Sequence, residues 1–170
     1  MKKFILAALM VVGMAGMAHA QSIGLGDGKS YVTGSVGSSV IHDGKKTDQT
    51  DYSVAFGREF SSLFRGELAY DYLDKHGRKG AGQSVVANGI VQYQVPGTIF
   101  TPYLLAGAGY GWQAYGDEAV YNVGGGLRAE LTKSVDLDLR AKRVSNLRWG
   151  NFNDTSFHTD VLTAGVSYKF

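Results

Sequence analysis

The sequence of 170 residues predicts an all-β chain: an eight-stranded, up-and-down antiparallel transmembrane β-barrel that follows an N-terminal signal peptide. Three observations predict this fold. Apolar and polar residues alternate in eight segments, the connections between the segments alternate between short and long, and the chain begins with an apolar leader. A strand with two such faces has lipid or a packed core on one side and a polar space on the other.

The leader, residues 1–20, has the features of a secretory signal peptide. Lys2 and Lys3 form a basic start, an apolar stretch follows, and small residues precede the expected cleavage after Ala20. The apolar stretch is shorter than the ~20 residues that a spanning helix needs, which disfavours a membrane anchor. We therefore expect the folded domain to occupy residues 21–170.

Composition excludes several classes of function. The chain has 17 Lys and Arg against 15 Asp and Glu, and loss of the leader removes two lysines and no acid, so the remaining chain has 15 of each and is formally neutral. No nucleic-acid partner is therefore expected. The absence of cysteine excludes disulfides. No strand-to-helix glycine loop and no paired histidine spacing is present, so neither a cofactor nor a metal is expected.

The alternating segments place an apolar residue at every second position. They cover residues 32–40, 52–56, 64–72, 85–93, 104–112, 121–131, 135–141 and 162–170. An even strand count brings both chain ends to one side, as bacterial barrels require. The alternative is a soluble barrel of the lipocalin type, with its apolar face inward. The leader, the terminal Phe170 and the aromatic residues near strand ends favour the membrane; these are Tyr72, Tyr93, Trp112, Tyr168 and Phe170.

The connections fall into two groups. Those between strands two and three, four and five, and six and seven are short, at 61–63, 95–98 and 132–134. The remaining connections are mostly longer and more charged, and we expect loops at 42–50, 74–82, 113–118 and 145–158. Short periplasmic turns opposite longer external loops are typical of outer-membrane barrels. This asymmetry predicts that both termini are periplasmic.

If the apolar faces meet lipid, the charged residues of the strands lie inside. Six acids and five bases are expected there: Glu59, Arg65, Glu67, Asp71, Arg128, Glu130, Asp136, Asp138, Arg140, Lys142 and Lys169. Buried charges are tolerated when they are paired and hydrogen-bonded. Eight strands leave an interior just wide enough for side chains. We therefore expect an interlocked polar plug, with a narrow gated ion path as the alternative.

Several motifs resemble the small outer-membrane barrels related to the OmpA transmembrane domain, OmpX/Ail and the opacity proteins. They are Thr-Pro-Tyr-Leu-Leu-Ala-Gly-Ala-Gly-Tyr-Gly at 101–111, Asn-Val-Gly-Gly-Gly-Leu at 122–127 and the terminal Val-Ser-Tyr-Lys-Phe. The resemblance implies the outer membrane of Gram-negative bacteria, and a role in envelope integrity, adhesion, invasion or complement resistance. The last strand also resembles the signal read by the outer-membrane assembly machinery, through Leu162, Ala164, Val166, Tyr168 and Phe170.

The loops contain the candidate binding residues, because rigid scaffolds carry function on their loops. These candidates are Lys75, Arg78, Lys79, Trp149 and Phe152. The bases are suited to lipopolysaccharide phosphates or to an acidic host surface or matrix ligand, or they simply solvate the rim. The aromatic residues are partner anchors or members of the interfacial belt.

Catalysis is not expected. The lipid A deacylases resemble strands five to eight and carry a His-x-Ser pair on strand seven, where this chain has Arg143 and Ser145. A serine without an adjacent base is a weak nucleophile, and the histidines lie singly in separate loops. The sequence therefore favours an envelope-structural or surface-interaction role. A narrow channel is the alternative, followed by a lipid A-modifying hydrolase.

Overall fold

The computed structural model describes residues 28–43, 45–74, 82–113, 118–146 and 158–170, and it forms one closed antiparallel barrel. Its strands are β1 (Ser30–Asp43), β2 (Lys45–Glu59), β3 (Phe64–Leu73), β4 (Gly82–Gln92), β5 (Phe100–Gln113), β6 (Glu118–Glu130), β7 (Val135–Asn146) and β8 (His158–Lys169). Each strand pairs with its neighbours in sequence, and β8 returns to pair with β1. The predicted eight-stranded barrel is confirmed.

The leader and the expected domain boundary after Ala20 lie outside the described residues, and both stay predictions. Within the described ranges, no helix has the length and apolar character needed to cross a membrane.

The strands are staggered around the barrel. A line of paired residues can be followed once around it: Val32, Phe56, Leu68, Ala87, Ala108, Tyr121, Ser145, His158 and His42. It returns to β1 at His42, ten positions beyond its start at Val32 (42 − 32 = 10). Such a stagger tilts the strands relative to the barrel axis and fixes the barrel's diameter.

The two ends of the barrel differ. At one end, which we call the short-turn end, tight turns join β2 to β3, β4 to β5 and β6 to β7. Hydroxyls cap two of these turns, since Ser61 Oγ accepts from the amide of Phe64 at 3.1 Å and Thr132 Oγ1 from that of Val135 at 3.0 Å. Phe170 N donates to Ser30 O at 2.9 Å at the same end. The opposite end, which carries the other connections, is the long-loop end.

The predicted loop at 42–50 is wrong. β1 continues to Asp43 and β2 begins at Lys45, and these two residues are register partners. The apolar alternation stops at Val40, but antiparallel backbone pairing needs no apolar face once the strands leave the lipid. The hydrophobic pattern therefore marks only the part of this hairpin that meets apolar surroundings.

The outer wall is apolar and strongly exposed: Leu104 is 71% and Leu162 64% accessible. Large exposed apolar surfaces mark contact with a membrane or a partner. Aromatic side chains form a belt near each end of this wall. Phe64, Tyr93, Phe100, Tyr168 and Phe170 lie toward the short-turn end, and Tyr52, Tyr72, Tyr110, Trp112 and Tyr121 toward the long-loop end. Two such belts flank the lipid-facing band of transmembrane barrels.

The interior is tight enough that some inward positions require glycine. A Cβ on Gly57 would lie 2.2 Å from Cζ of Tyr31 and 2.7 Å from the carbonyl oxygen of Gly66. A Cβ on the outward Gly34 would meet nothing within 4 Å. The two glycines therefore differ in packing although both lie in membrane-spanning strands.

We expect Gly57→Ala to lower the free energy of unfolding by about 1–3 kcal/mol, because the added methyl overpacks the interior. Gly34→Ala is the matched control and should change it little. Urea unfolding of the two refolded variants in lipid vesicles measures both. Equal stabilities of the two variants would contradict this account of the interior.

Candidate functional site

The described interior is filled by side chains that meet in layers along the barrel axis. At the short-turn end, Arg128 is the centre of an ionic cluster. Its Nη1 lies 3.2 Å from Glu59 Oε1, its Nε lies 3.4 Å from Asp136 Oδ2, and its Nη2 donates to Gln92 Oε1 at 2.8 Å. Lys169 Nζ adds a second contact to Asp136 at 3.0 Å. These contacts join five strands, β2, β4, β6, β7 and β8, so the cluster connects the barrel wall from within.

Arg65, the register partner of Glu59, lies beside this cluster and interacts mainly with an aromatic ring. Its guanidinium carbon is 4.2 Å from the centroid of the Tyr31 ring, and its nearest carboxylate oxygen, on Glu59, is 3.8 Å away. A desolvated guanidinium over an aromatic face is stabilised by the ring quadrupole. Tyr31 Oη in turn donates to Glu67 Oε2 at 3.3 Å, which connects this layer to the next.

The middle layer is built on a forked ion pair. Arg140 Nη1 and Nη2 donate to the two carboxylate oxygens of Glu67 at 2.6 and 3.0 Å. Tyr103 Oη accepts from Arg140 Nε at 3.1 Å and donates to Asp138 Oδ1 at 2.7 Å. Asn88 donates to Glu67 at 3.2 Å. Bidentate pairing of this kind gives the geometry and the extra hydrogen bonds that a buried ion pair needs.

Toward the long-loop end the charges are less balanced. Lys142 Nζ donates to Asp71 Oδ2 at 2.7 Å. Asp51 lies beside this pair, is fully buried and makes no hydrogen bond to the described residues. The sequence prediction missed Asp51, which changes the expected six acids and five bases to seven acids and five bases. Extending the alternation of β2 one step back from Ser53 would have found it.

An apolar cluster occupies the same end of the interior. It consists of Leu73, Val86, Val120, Val144 and Val161, all 3% exposed or less. Five strands contribute to it, so it crosses the barrel from wall to wall. The prediction of a wholly polar interior is therefore incomplete. Val86, which interrupts the polar face of β4, is the sequence signal that could have indicated apolar packing inside.

The predicted interior residues all lie on inward faces of the strands. Nine are 8% exposed or less, and Glu59 and Glu130 are half-buried near the short-turn end. The loop candidates Lys75, Arg78, Lys79, Trp149 and Phe152 lie outside the described residues and stay predictions. Leu162, Ala164, Val166 and Tyr168 line the outward face of β8, with Phe170 directly after it. Their role as an assembly signal also stays a prediction.

The register reveals a polar patch on the outer wall that the sequence did not indicate. Ser145 of β7 is the partner of His158 of β8, and Arg143 is the partner of Asp160. Arg143 Nε and Nη2 donate to the two carboxylate oxygens of Asp160 at 2.6 and 2.9 Å. We call these four residues the outer-wall patch. Ser145 and His158 are separated by a long connection in sequence, so only the strand register brings them together.

Within the ranges that the structure describes, no group of three or more His, Cys, Asp or Glu side chains is arranged to hold a metal ion.

A closed antiparallel barrel with an apolar outer wall, aromatic belts and a charged interior defines the class of transmembrane β-barrels. The family model described as "Outer membrane protein beta-barrel domain" matches residues 4–170. The chain belongs to this family, and it is an outer-membrane β-barrel protein. No curated protein sequence is detectably similar to it.

Solved structures share the fold at low sequence identity. Neisserial surface protein A (NspA) is 19% identical with a TM-score of 0.70, over 83% of this chain and 97% of that one. Ail, the attachment invasion locus protein of Yersinia pestis, in complex with the heparin analogue sucrose octasulfate, is 16% identical with a TM-score of 0.58, over 85% and 100%. The outer membrane enzyme PagL is 15% identical with a TM-score of 0.60, over 81% and 98%. These likenesses concern the fold alone.

We expect Arg140→Met to lower the free energy of unfolding by about 3–5 kcal/mol, because it leaves the buried Glu67 unpaired. Adding Glu67→Gln should recover part of that loss by removing the unpaired charge. Urea unfolding of both variants and of Glu67→Gln alone in lipid vesicles measures the coupling free energy between residues 140 and 67. Losses that simply add would show that the pair does not act as a unit.

Proposed function

We propose that this protein is a non-conducting outer-membrane barrel that acts through its long-loop end, in an envelope-structural or adhesion-like role. The observation that carries this proposal is the filled interior, in which ion pairs join the strands at the short-turn end and the middle and an apolar cluster crosses the long-loop end. An interior used for packing leaves the loops and the outer wall as the places for interaction.

A channel is the less favoured alternative. Conduction needs sites that hold an ion weakly enough to release it along a continuous path. The Arg140–Glu67 fork and the Lys142–Asp71 pair instead bind each charge to a fixed partner across the barrel. The apolar cluster around Leu73 adds a layer that disfavours hydrated ions.

The long-loop end is proposed to face outward, with both chain termini on the periplasmic side. This orientation follows the usual asymmetry of short periplasmic turns and longer external loops. It would present Lys75, Arg78 and Lys79 on the cell surface, next to lipopolysaccharide and to any host or matrix ligand. The outer-membrane assembly machinery would read the last strand, which ends at Phe170.

A sulfated or phosphorylated glycan is the ligand class that the basic loop favours. Arg78 and Lys79 stand in a run with few acids, and guanidinium and ammonium groups form charge-assisted hydrogen bonds to such anions. Ail, a structure of the same fold, was solved with a heparin analogue bound. That likeness supports heparin as the first probe.

We expect the double variant Arg78→Ser, Lys79→Ser to bind heparin more weakly than the wild type, and the difference to shrink as salt is raised. Lys133→Ser, which removes one base from a short turn at the opposite end, is the control. Surface plasmon resonance on barrels in lipid discs measures the affinity. Equal binding by all three proteins would contradict a glycan site on this loop.

The proposal that the barrel does not conduct ions is tested by electrical recording. Wild-type barrels in planar bilayers should give no unitary current steps, because the interior is filled. The current through the double variant Leu73→Ala, Val144→Ala, which has smaller side chains in the apolar cluster, is recorded for comparison. Regular steps from the wild type whose size changes in Asp51→Asn would overturn the non-conducting proposal.

A further inference from the structure

Among the strand residues whose side chains are described, the outer wall carries charge in two places. Its outward residues are otherwise apolar, small or uncharged, except for Arg58 near the short-turn end and the Arg143–Asp160 pair near the long-loop end. Charged side chains on the lipid face of a barrel are destabilising at the bilayer midplane and are tolerated near the interfaces. The pair therefore marks the level of lipid headgroups at the long-loop end.

A groove lies directly beside this pair on the wall of β6, β7, β8 and β1. It has a volume of about 610 Å³, and its outward lining includes Ser38, Val40, Val123, Ala141 and Leu162, with Arg143 and Asp160 at its rim. Leu162 stands between two small partners, since it pairs with Ala141 of β7 and with Ser38 of β1. The small side chains create the depression, and its lining is mainly apolar.

The Arg143 guanidinium at the rim of the groove is held in one orientation, and Asp160 engages only some of its N–H donors. Arg143 uses Nε and Nη2 for Asp160, and its side chain remains 56% exposed. A guanidinium carries five N–H donors in a fixed fork that matches a phosphate as well as a carboxylate. Asp160 fixes the plane of this fork, so donors that it does not engage point away from it. Ser145 and His158, the next outward residues, extend the polar patch.

We propose that the groove and the outer-wall patch form a binding site for the lipid A part of lipopolysaccharide, with an acyl chain in the groove and a phosphate on Arg143. The Arg143 guanidinium is complementary to a phosphate and the apolar groove to an acyl chain, and lipid A carries both. The choice of lipopolysaccharide over other lipids rests on the proposed outward orientation of the long-loop end, which places the site in the outer leaflet.

Native mass spectrometry of barrels released from detergent tests the site with three probes: lipid A, dephosphorylated lipid A and phosphatidylglycerol. We expect wild-type barrels to retain lipid A in preference to the other two. Arg143→Ala should bind lipid A about tenfold more weakly, the loss expected for charge-assisted hydrogen bonds. Ala141→Phe, which fills the groove but keeps the charges, should also weaken binding. Circular dichroism confirms that each variant has refolded.

Arg58→Ala is the matched control, because it removes the same residue type from the outer wall at the opposite end. Unchanged lipid A binding in that control is expected, and a loss equal to that of Arg143→Ala would overturn the site in favour of non-specific charge. Equal retention of dephosphorylated lipid A would overturn the phosphate assignment. Fatty-acid release that Ser145→Ala abolishes would overturn a purely binding site and indicate a hydrolase.

The proposed lipid site and the proposed loop function can be refuted independently of each other. Heparin binding through Arg78 and Lys79 does not depend on Arg143, so Arg143→Ala should leave it unchanged. The orientation is tested by a cysteine introduced at Arg78 and labelled on whole cells with a membrane-impermeant maleimide. Labelling of intact cells supports the outer-leaflet placement, and labelling only after lysis overturns both proposals.

Discussion

The structure depends above all on the closure of the backbone hydrogen-bond ladder between β1 and β8. In hydrocarbon no water is available to an unpaired amide or carbonyl, so a sheet that spans lipid must have no free edge. Closure with a ten-residue stagger also determines which side chains face inward. The position of every charged residue of the strands, inside or outside, follows from this one constraint.

The narrow interior explains why its polar groups are arranged as pairs. Arg128 and Arg140 each contact carboxylates from other strands, so one side chain joins several parts of the wall. Ion pairs taken out of water add little stability unless their geometry is good and their remaining hydrogen bonds are satisfied. The Arg140–Glu67 fork in the middle of the barrel meets that condition. Arg65 and Asp136 near the short-turn end, like Asp51 near the long-loop end, keep buried polar atoms without a hydrogen bond to the described residues.

The sequence was sufficient to predict the strand count, the faces of the strands and the three short turns. The reason is that apolar and polar residues alternate with a period of two within each single strand. It did not reveal the extended β1–β2 hairpin, where polar residues pair without an apolar face. It also missed the proximity of Ser145 to His158. Their meeting depends on the register between β7 and β8, and register is set by the whole barrel rather than by either strand.

The junction of β1 and β8 also bears on how the barrel forms. Thr33 Oγ1 and Ser167 Oγ meet there at 2.5 Å although 134 positions separate them in the chain. Every other pairing joins consecutive strands and can form locally, whereas this one has the largest loop-closure entropy. Until it forms, the sheet has two open edges in the lipid. Folding of the barrel is therefore expected to be cooperative, with the joining of the first and last strands as its slowest step.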